Sequence, residues 1–231
     1  MANSDTTAYK KEGSTSQSFD SVYGIKINDS SVNYIHQNIG RMSLGVKVGE
    51  TYTDYGDGNL EETEQLYDMA LSGKGFFAIS YADRNGNESV RYTRDGNFTV
   101  NSQGVLVTKD GDFVLAEDGG LINIPEGVKI SVDESGRITA DGQEIAQLQL
   151  VDFEDYNYLE KFGENMYIAI DGATTKDAQC KVYQGYLEAS NVNVVTEMVD
   201  MITITRDYES NQKVIQTIDS TLEKSVALGR I

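Results

Sequence analysis

Apolar positions along this chain keep one rhythm for most of its length and another at its end. From Leu71 to about Tyr167 they fall in short runs, among them Gly75-Phe-Phe-Ala-Ile-Ser-Tyr, Val90-Arg-Tyr-Thr, Phe98-Thr-Val, Gly104-Val-Leu-Val-Thr, Val128-Lys-Ile-Ser-Val and Ala146-Gln-Leu-Gln-Leu-Val. Asp-Gly pairs punctuate them at Asp95-Gly96, Asp110-Gly111, Asp118-Gly119 and Asp141-Gly142, and such a pair supplies the positive φ of a two-residue hairpin turn. Turn signals at intervals of roughly 8 to 15 residues belong to antiparallel sandwiches and small barrels, not to βαβ units.

Past Gly185 the rhythm turns helical. Val194, Val195, Met198, Val199, Met201, Ile202 and Ile204 crowd the first half, and Tyr208, Val214, Ile215, Ile218, Leu222 and Val226 follow, the last four stepping by 3, 4 and 4. This is the period of a helical stripe. The stretch from Gly185 to Val226 therefore reads as one long helix. Asn193 suits an N-cap, and no Pro or Gly interrupts the chain from there to Val226, which allows a helix of roughly 50 Å at 1.5 Å per residue. Nothing else in the sequence offers it a partner of matching length. At the other end, residues 1 to about 20 are polar and lack periodicity, and Gly24 to Tyr55 alternate only weakly. That region reads as irregular or extended. The whole pattern predicts a mainly β chain with a long C-terminal α-helix: an arm and connector over 1–45, an antiparallel β sandwich or barrel-like domain over 46–185, and a helical segment over 186–231.

Composition narrows the function. Thirty-seven acidic against nineteen basic residues leave a formal charge of −18, which argues against nucleic acid or an anionic membrane as partner and favours protein. A single cysteine, Cys180, excludes an intrachain disulfide framework and a cysteine-built metal cluster. No apolar run approaches the roughly 20 residues that span a bilayer, and no charged-then-apolar leader opens the chain. His36 stands among polar residues without a second His or a Cys nearby and reads as a surface histidine. Gly73-Lys-Gly75 lacks the spacing of a phosphate loop. No Asp-Gly segment carries the alternating oxygen ligands and closing glutamate of an EF-hand. No catalytic residue, metal ligand or cofactor site is predicted.

Three blocks carry a resemblance. Gly58-Asn-Leu-Glu-Glu-Thr with Leu66-Tyr-Asp-Met-Ala-Leu-Ser-Gly-Lys-Gly-Phe-Phe-Ala-Ile, then Tyr92-Thr-Arg-Asp-Gly-Asn-Phe, then Gln184-Gly-Tyr-Leu-Glu-Ala-Ser-Asn-Val-Asn-Val-Val with Arg206-Asp-Tyr-Glu-Ser-Asn-Gln, resemble segments of the flagellar axial family, the rod and hook proteins of the bacterial flagellum. Within it, the compact β region and the added sequence from about Ile25 to Met42 resemble distal rod members, with proximal rod or hook members as the alternative. The family opens with a helix ahead of the segment where Met1-Ala-Asn-Ser-Asp starts here, so a chain shortened at that end is the expectation, and Ala8 stands where the family carries Gly.

The resemblance implies a structural role and no enzyme activity. Helices from both chain ends pair as a coiled coil lining an axial tube, and the β domain faces outward. The implied partners are copies of the chain and neighbouring rod and hook proteins, with no nucleic acid, membrane insertion, small-molecule substrate or cofactor. The implied location is the flagellar basal body, reached by flagellar type III export. Val195, Met198, Val199, Ile202, Tyr208, Ile215, Ile218, Leu222 and Val226 are the expected assembly interface, and Asn191, Asn193 and Glu197 the expected organisers of the helix start. A secreted β-rich binding module on a helical stalk is the competing class, and a glycan-cleaving enzyme a third. Neither finds a motif in this sequence.

Overall fold

A computed structural model describes residues 3–26, 37–83, 86–125 and 127–228. The chain divides into two compact units, one of residues 10–56 and the other of residues 1–9 with 57–231. In the smaller unit Glu12–Ser18 pairs antiparallel with Val46–Thr53 across a bulge between Ser14 and Ser16, and Val22–Lys26 pairs with Gln37–Met42. Ladders thus occupy a stretch that sequence periodicity read as irregular or extended. In the Glu12–Ser18 and Val46–Thr53 ladder the pairing rests on backbone bonds and on local fit, with no buried apolar face to mark it in the sequence. A Cβ at Gly13, for example, would stand 2.4 Å from the Tyr52 ring.

In the larger unit, nine strands among the described residues form one antiparallel sheet. Its centre is Phe76–Ala82, flanked by Glu88–Thr93 on one side and by Phe113–Val114 and Leu150–Phe153 on the other. Ile130–Val132, Arg137–Ala140 and Gln143–Gln147 make a three-stranded sheet, and Met69–Lys74 pairs with Gln179–Gln184. Neighbours in a strand point to opposite faces, and the central strand uses both. Phe77 enters the main aliphatic core with Leu71, Leu106, Ile122, Ile138 and Leu148, its ring 5.1 Å edge-on from Phe98. Phe76 meets Phe153, Tyr156 and Tyr167 at 5.5–6.1 Å between centroids. Beside that aromatic group the buried carboxylate of Asp152 accepts from the Tyr156 hydroxyl, the Phe153 amide and Lys176 Nζ. Burial pushes its pKa up, but these bonds together outweigh it and hold the carboxyl below the ordinary range.

Two Asp-Gly pairs that read alike in sequence do different work. At Asp141-Gly142 both residues take positive φ, +50° and +82°, and close a tight hairpin. Gly96 is needed for space. The Met69 amide donates to its carbonyl at 3.0 Å, and a Cβ on Gly96 would lie 1.5 Å from the Met69 oxygen.

The C-terminal helix, α1, runs over Val194–Leu228, 35 residues. It starts later than the sequence pattern suggested, because Tyr186–Glu188 pairs as a strand with Leu60–Glu62 and Gly185 takes φ +78° ahead of it. The chain is accordingly mainly β, with antiparallel sheets and one C-terminal helix among the described residues.

The contrast between glycines is testable by urea unfolding. Gly96→Ala is expected to cost about 3 kcal/mol or more, since backbone must move to admit the methyl. Gly111→Ala, at φ +98° with open space around it, is expected to cost only about 1–2 kcal/mol.

Candidate assembly surface and its anchor

No residue of α1 is buried. Its start is well organised: Asn193 Oδ1 accepts from the amides of Val195 at 3.0 Å and Thr196 at 3.2 Å, and the Glu197 amide donates to the Asn193 carbonyl. The Glu197 carboxylate lies in the first turn, at the positive end of the helix dipole. The Asn191 amide donates to the Tyr9 carbonyl at 3.2 Å. Farther along, the hydroxyls of Thr203, Thr205, Thr217, Thr221 and Ser225 donate to carbonyls four residues back, so these polar groups are satisfied within the helix itself.

The apolar residues of α1 do not share one side. Val195, Met198, Val199 and Ile202 cluster together, 42–70 % exposed. Tyr208, Ile215, Ile218, Leu222 and Val226 stand on another face, roughly 150° round the axis at 100° per residue. Met201 and Ile204 extend this second face towards the N-terminus. From Met201 through Ile204, Tyr208, Ile215 and Ile218 to Leu222 the steps are three, four, seven, three and four residues, which keeps the register of a coiled-coil seam with one position, Asn211, polar. Sequence reading left Met201 and Ile204 out of the expected interface because they sit inside a dense apolar run where any one stripe is hard to separate from its neighbours.

The helix is tied to the β body by the residues just before it. Glu188 is only 1 % exposed and Arg94 only 3 %. Arg94 Nη1 lies 3.4 Å from Glu188 Oε2, and Nη2 lies 3.4 Å from Asp57 Oδ1 and donates to the Gly73 carbonyl. The other Glu188 oxygen accepts from the Gly58 amide at 2.8 Å, and the Glu188 carbonyl accepts from the Ala8 amide at 2.7 Å. Ala189 donates to the Asn59 carbonyl at 2.8 Å. This contact is so close that a Cβ on Gly58 would stand 1.9 Å from the Ala189 oxygen. Ala8 takes φ +55°, a conformation in which glycine is at ease.

Next to Arg94, the Asp95 carboxylate accepts from the Asn97 amide at 3.0 Å and from Asn165 Nδ2 at 2.8 Å. Burial pushes its pKa up against the pull of bonds from Asn97 and Thr7. Thr63 and Asp68 close the arrangement, with the Thr63 hydroxyl donating to the Asp68 carboxylate at 2.7 Å and the Gly185 amide donating to the Asp68 carbonyl at 2.8 Å. Segments far apart in sequence thus meet at one junction, which the sequence reading did not pick out. Its signal was present in the charged residues set inside otherwise apolar or turn-forming motifs, Arg94 and Glu188 above all. His36 lies outside the described residues. Among the described residues no group of three or more His, Cys, Asp or Glu is placed to hold a metal ion, and no helix is long and apolar enough to cross a membrane.

Comparison with known proteins matches both parts. Residues 70–140 fit a family model described as the flagellar hook protein FlgE/F/G D1 domain, and residues 183–228 one described as the flagellar basal body rod FlgEFG protein C-terminal. The chain is similar to flagellar basal-body rod protein FlgG of Buchnera aphidicola subsp. Schizaphis graminum, 37% identical over 198 residues that cover 80% of this chain and 73% of that protein. It is 33% identical to FlgG of Caulobacter vibrioides over 244 residues, covering 99% of this chain and 90% of the relative. Flagellar basal-body rod protein FlgF of the same organism is 33% identical over 228 residues, covering 97% and 85%.

Removal of the cap tests how α1 begins. Asn193→Ala is expected to destabilise the first turn by about 1 kcal/mol, seen as faster amide exchange at Val195 and Thr196 with unchanged exchange in Phe76–Ala82.

Proposed function

The chain belongs to the flagellar basal-body rod proteins of the FlgG type and is a structural component of the rod, and from that premise we propose that it builds the distal rod, a self-assembled helical tube that carries torque from motor to hook. One observation carries this reading: a 35-residue helix without a buried residue, bearing two separate apolar faces. A single chain leaves those faces in water. Burying each Val, Ile, Leu or Met is worth roughly 1.5–3 kcal/mol, so packing of α1 against other helices supplies a strong driving force for association. Two faces on different sides suit contact with more than one neighbour, and heterologous contacts that do not close generate a helical filament. The seam from Met201 to Leu222 suits a coiled-coil partner.

On this reading residues 186–231 form the axial element and residues 46–185 the outward domain. Partners are further copies and the adjoining rod and hook proteins. Torque passes through contacts, and no catalytic step is required. The proximal rod or hook is the second reading, and the chain's similarity extends to a second basal-body rod protein, FlgF.

Substitution on the long face tests the reading. Ile218→Asp with Leu222→Asp is expected to abolish swimming and to leave basal bodies without a distal rod in electron micrographs. Since both side chains are exposed in the single chain, the unfolding free energy of the double variant should change by no more than about 1 kcal/mol. Intact rods would sink the proposed role of this face.

Copies that each carry −18 charges repel one another. Raising the salt from about 0.01 M to about 0.15 M shortens the screening length from roughly 30 Å to roughly 8 Å. Self-association measured by sedimentation velocity is therefore expected to strengthen several-fold over that range, whereas an assembly held by attraction between opposite charges would weaken.

A further inference from the structure

The longer apolar face of α1 keeps a strict heptad. With Met201 as the first core position, Met201, Tyr208, Ile215 and Leu222 fall at a, and Ile204, Asn211, Ile218 and Ser225 at d. From Met201 to Leu222 this is three heptads, the length over which a coiled-coil seam stands out. Its six apolar side chains are 54–70 % exposed, and Asn211 is exposed among them. A carboxamide in the middle of such a seam weakens it, because burial removes water from a group that apolar neighbours cannot satisfy. The attested use of a polar residue at a core position is to fix register and the number of strands.

The alignments open to two such helices differ in what they set against Asn211. An antiparallel pair puts d against a, so that Asn211 meets Met201, Tyr208, Ile215 or Leu222. A parallel pair slipped by one heptad puts it against Ile204 or Ile218. Only the parallel, in-register pair sets Asn211 against Asn211, where the amide of one donates to the side-chain oxygen of the other. The flanking positions agree. In that alignment Asp207 neighbours Gln212, Val214 neighbours Asp219 and Thr221 neighbours Val226, so no like charges are opposed. Residues 201–222 carry Asp207, Glu209 and Asp219 against Arg206 and Lys213, so most of the −18 lies outside the seam.

We propose that two copies of this chain pair through α1 as a parallel, in-register coiled coil, with Asn211 as the residue that sets register and strand number. The self-complementary carboxamide names the partner, a helix whose polar position falls at the same height, which a second copy supplies. The pair uses the same seam as the rod reading but forms in solution and does not depend on a rod. Val195, Met198, Val199 and Ile202 stay outside it, on the other face.

Sedimentation equilibrium of the full chain at about 0.15 M salt, where charges are screened beyond roughly 8 Å, is expected to show monomers and dimers in exchange at micromolar concentrations. Asn211→Leu is expected to tighten association by about tenfold and to add species larger than the dimer, since the seam loses its one polar constraint. Alignment is read on a Cys180→Ser background. Ser225→Cys under mild oxidation is expected to link the copies, because the two positions face each other in register. A slip of one heptad separates them by roughly 10 Å, and antiparallel alignment along the whole seam by more than about 30 Å, both beyond the reach of a disulfide. Ser220→Cys, on the far side of the helix, is expected to stay largely reduced.

A chain that stays monomeric to a few hundred micromolar overturns the proposal. So does linkage no greater at Ser225 than at Ser220, or an Asn211→Leu chain with the association and size of the original. The pair is measured without other flagellar proteins, so failure here is separate from failure of the rod reading, which the Ile218 and Leu222 substitutions report in cells.

Discussion

Two opposite charges withdrawn from water must be paired and hydrogen-bonded, or the group that holds them reorganises. In this chain that requirement brings Arg94, from the turn after a strand of the main sheet, to Glu188, the last residue of the short strand before the helix. The carboxylate and carbonyl of Glu188 then collect amides from Gly58 and Ala8. Glycine at position 58 follows from this arrangement, because backbone passes where a side chain would be. The β body, the N-terminal segment and the base of the helix are held in one arrangement by a small set of polar atoms, while the apolar core lies elsewhere.

That core makes the anchor firm. Phe76 and Phe77 commit the central strand to packing on both faces, one aliphatic and one aromatic. Arg94 lies at the aromatic side, its guanidinium carbon 5.6 Å from the Phe76 ring centroid. A load arriving through α1 at Glu188 therefore meets a sheet that cannot shift without breaking close-packed contacts. The outermost element is the opposite case. With no buried residue and hydroxyls satisfied internally, α1 has a regular backbone and an unspent apolar surface. Such a division, rigid body and uncommitted helix, is what a subunit of a polymer requires. The strong negative charge then limits association to contacts that bury enough apolar area to overcome repulsion.

Legibility followed the range of the interactions involved. The strands of the β body and the helix beyond Asn193 were readable because period-2 alternation, helical spacing and Asp-Gly turns are written in adjacent residues. Asn193 was readable as a cap for the same reason. The pairing within the smaller unit was not, since the Glu12–Ser18 and Val46–Thr53 ladder buries no face that would leave more than a weak alternation. Nor was the pairing of Tyr186–Glu188, which is a strand only by virtue of a partner more than a hundred residues earlier. Asp95-Gly96 looked like a hairpin turn, and its glycine proved to serve the close approach of Met69.

The sequence by itself determined the mainly β class, the long terminal helix, the acidic surface and the family, since local periodicity, total charge and motif order require no coordinates. Only the tertiary structure decided that the family motifs converge on Arg94 and Glu188, and that the helix presents two apolar faces to water while burying neither. The physical reason is that a buried ion pair is defined by which distant segments exclude water from it, and an exposed face by the absence of such segments. Neither property belongs to any stretch of chain read alone.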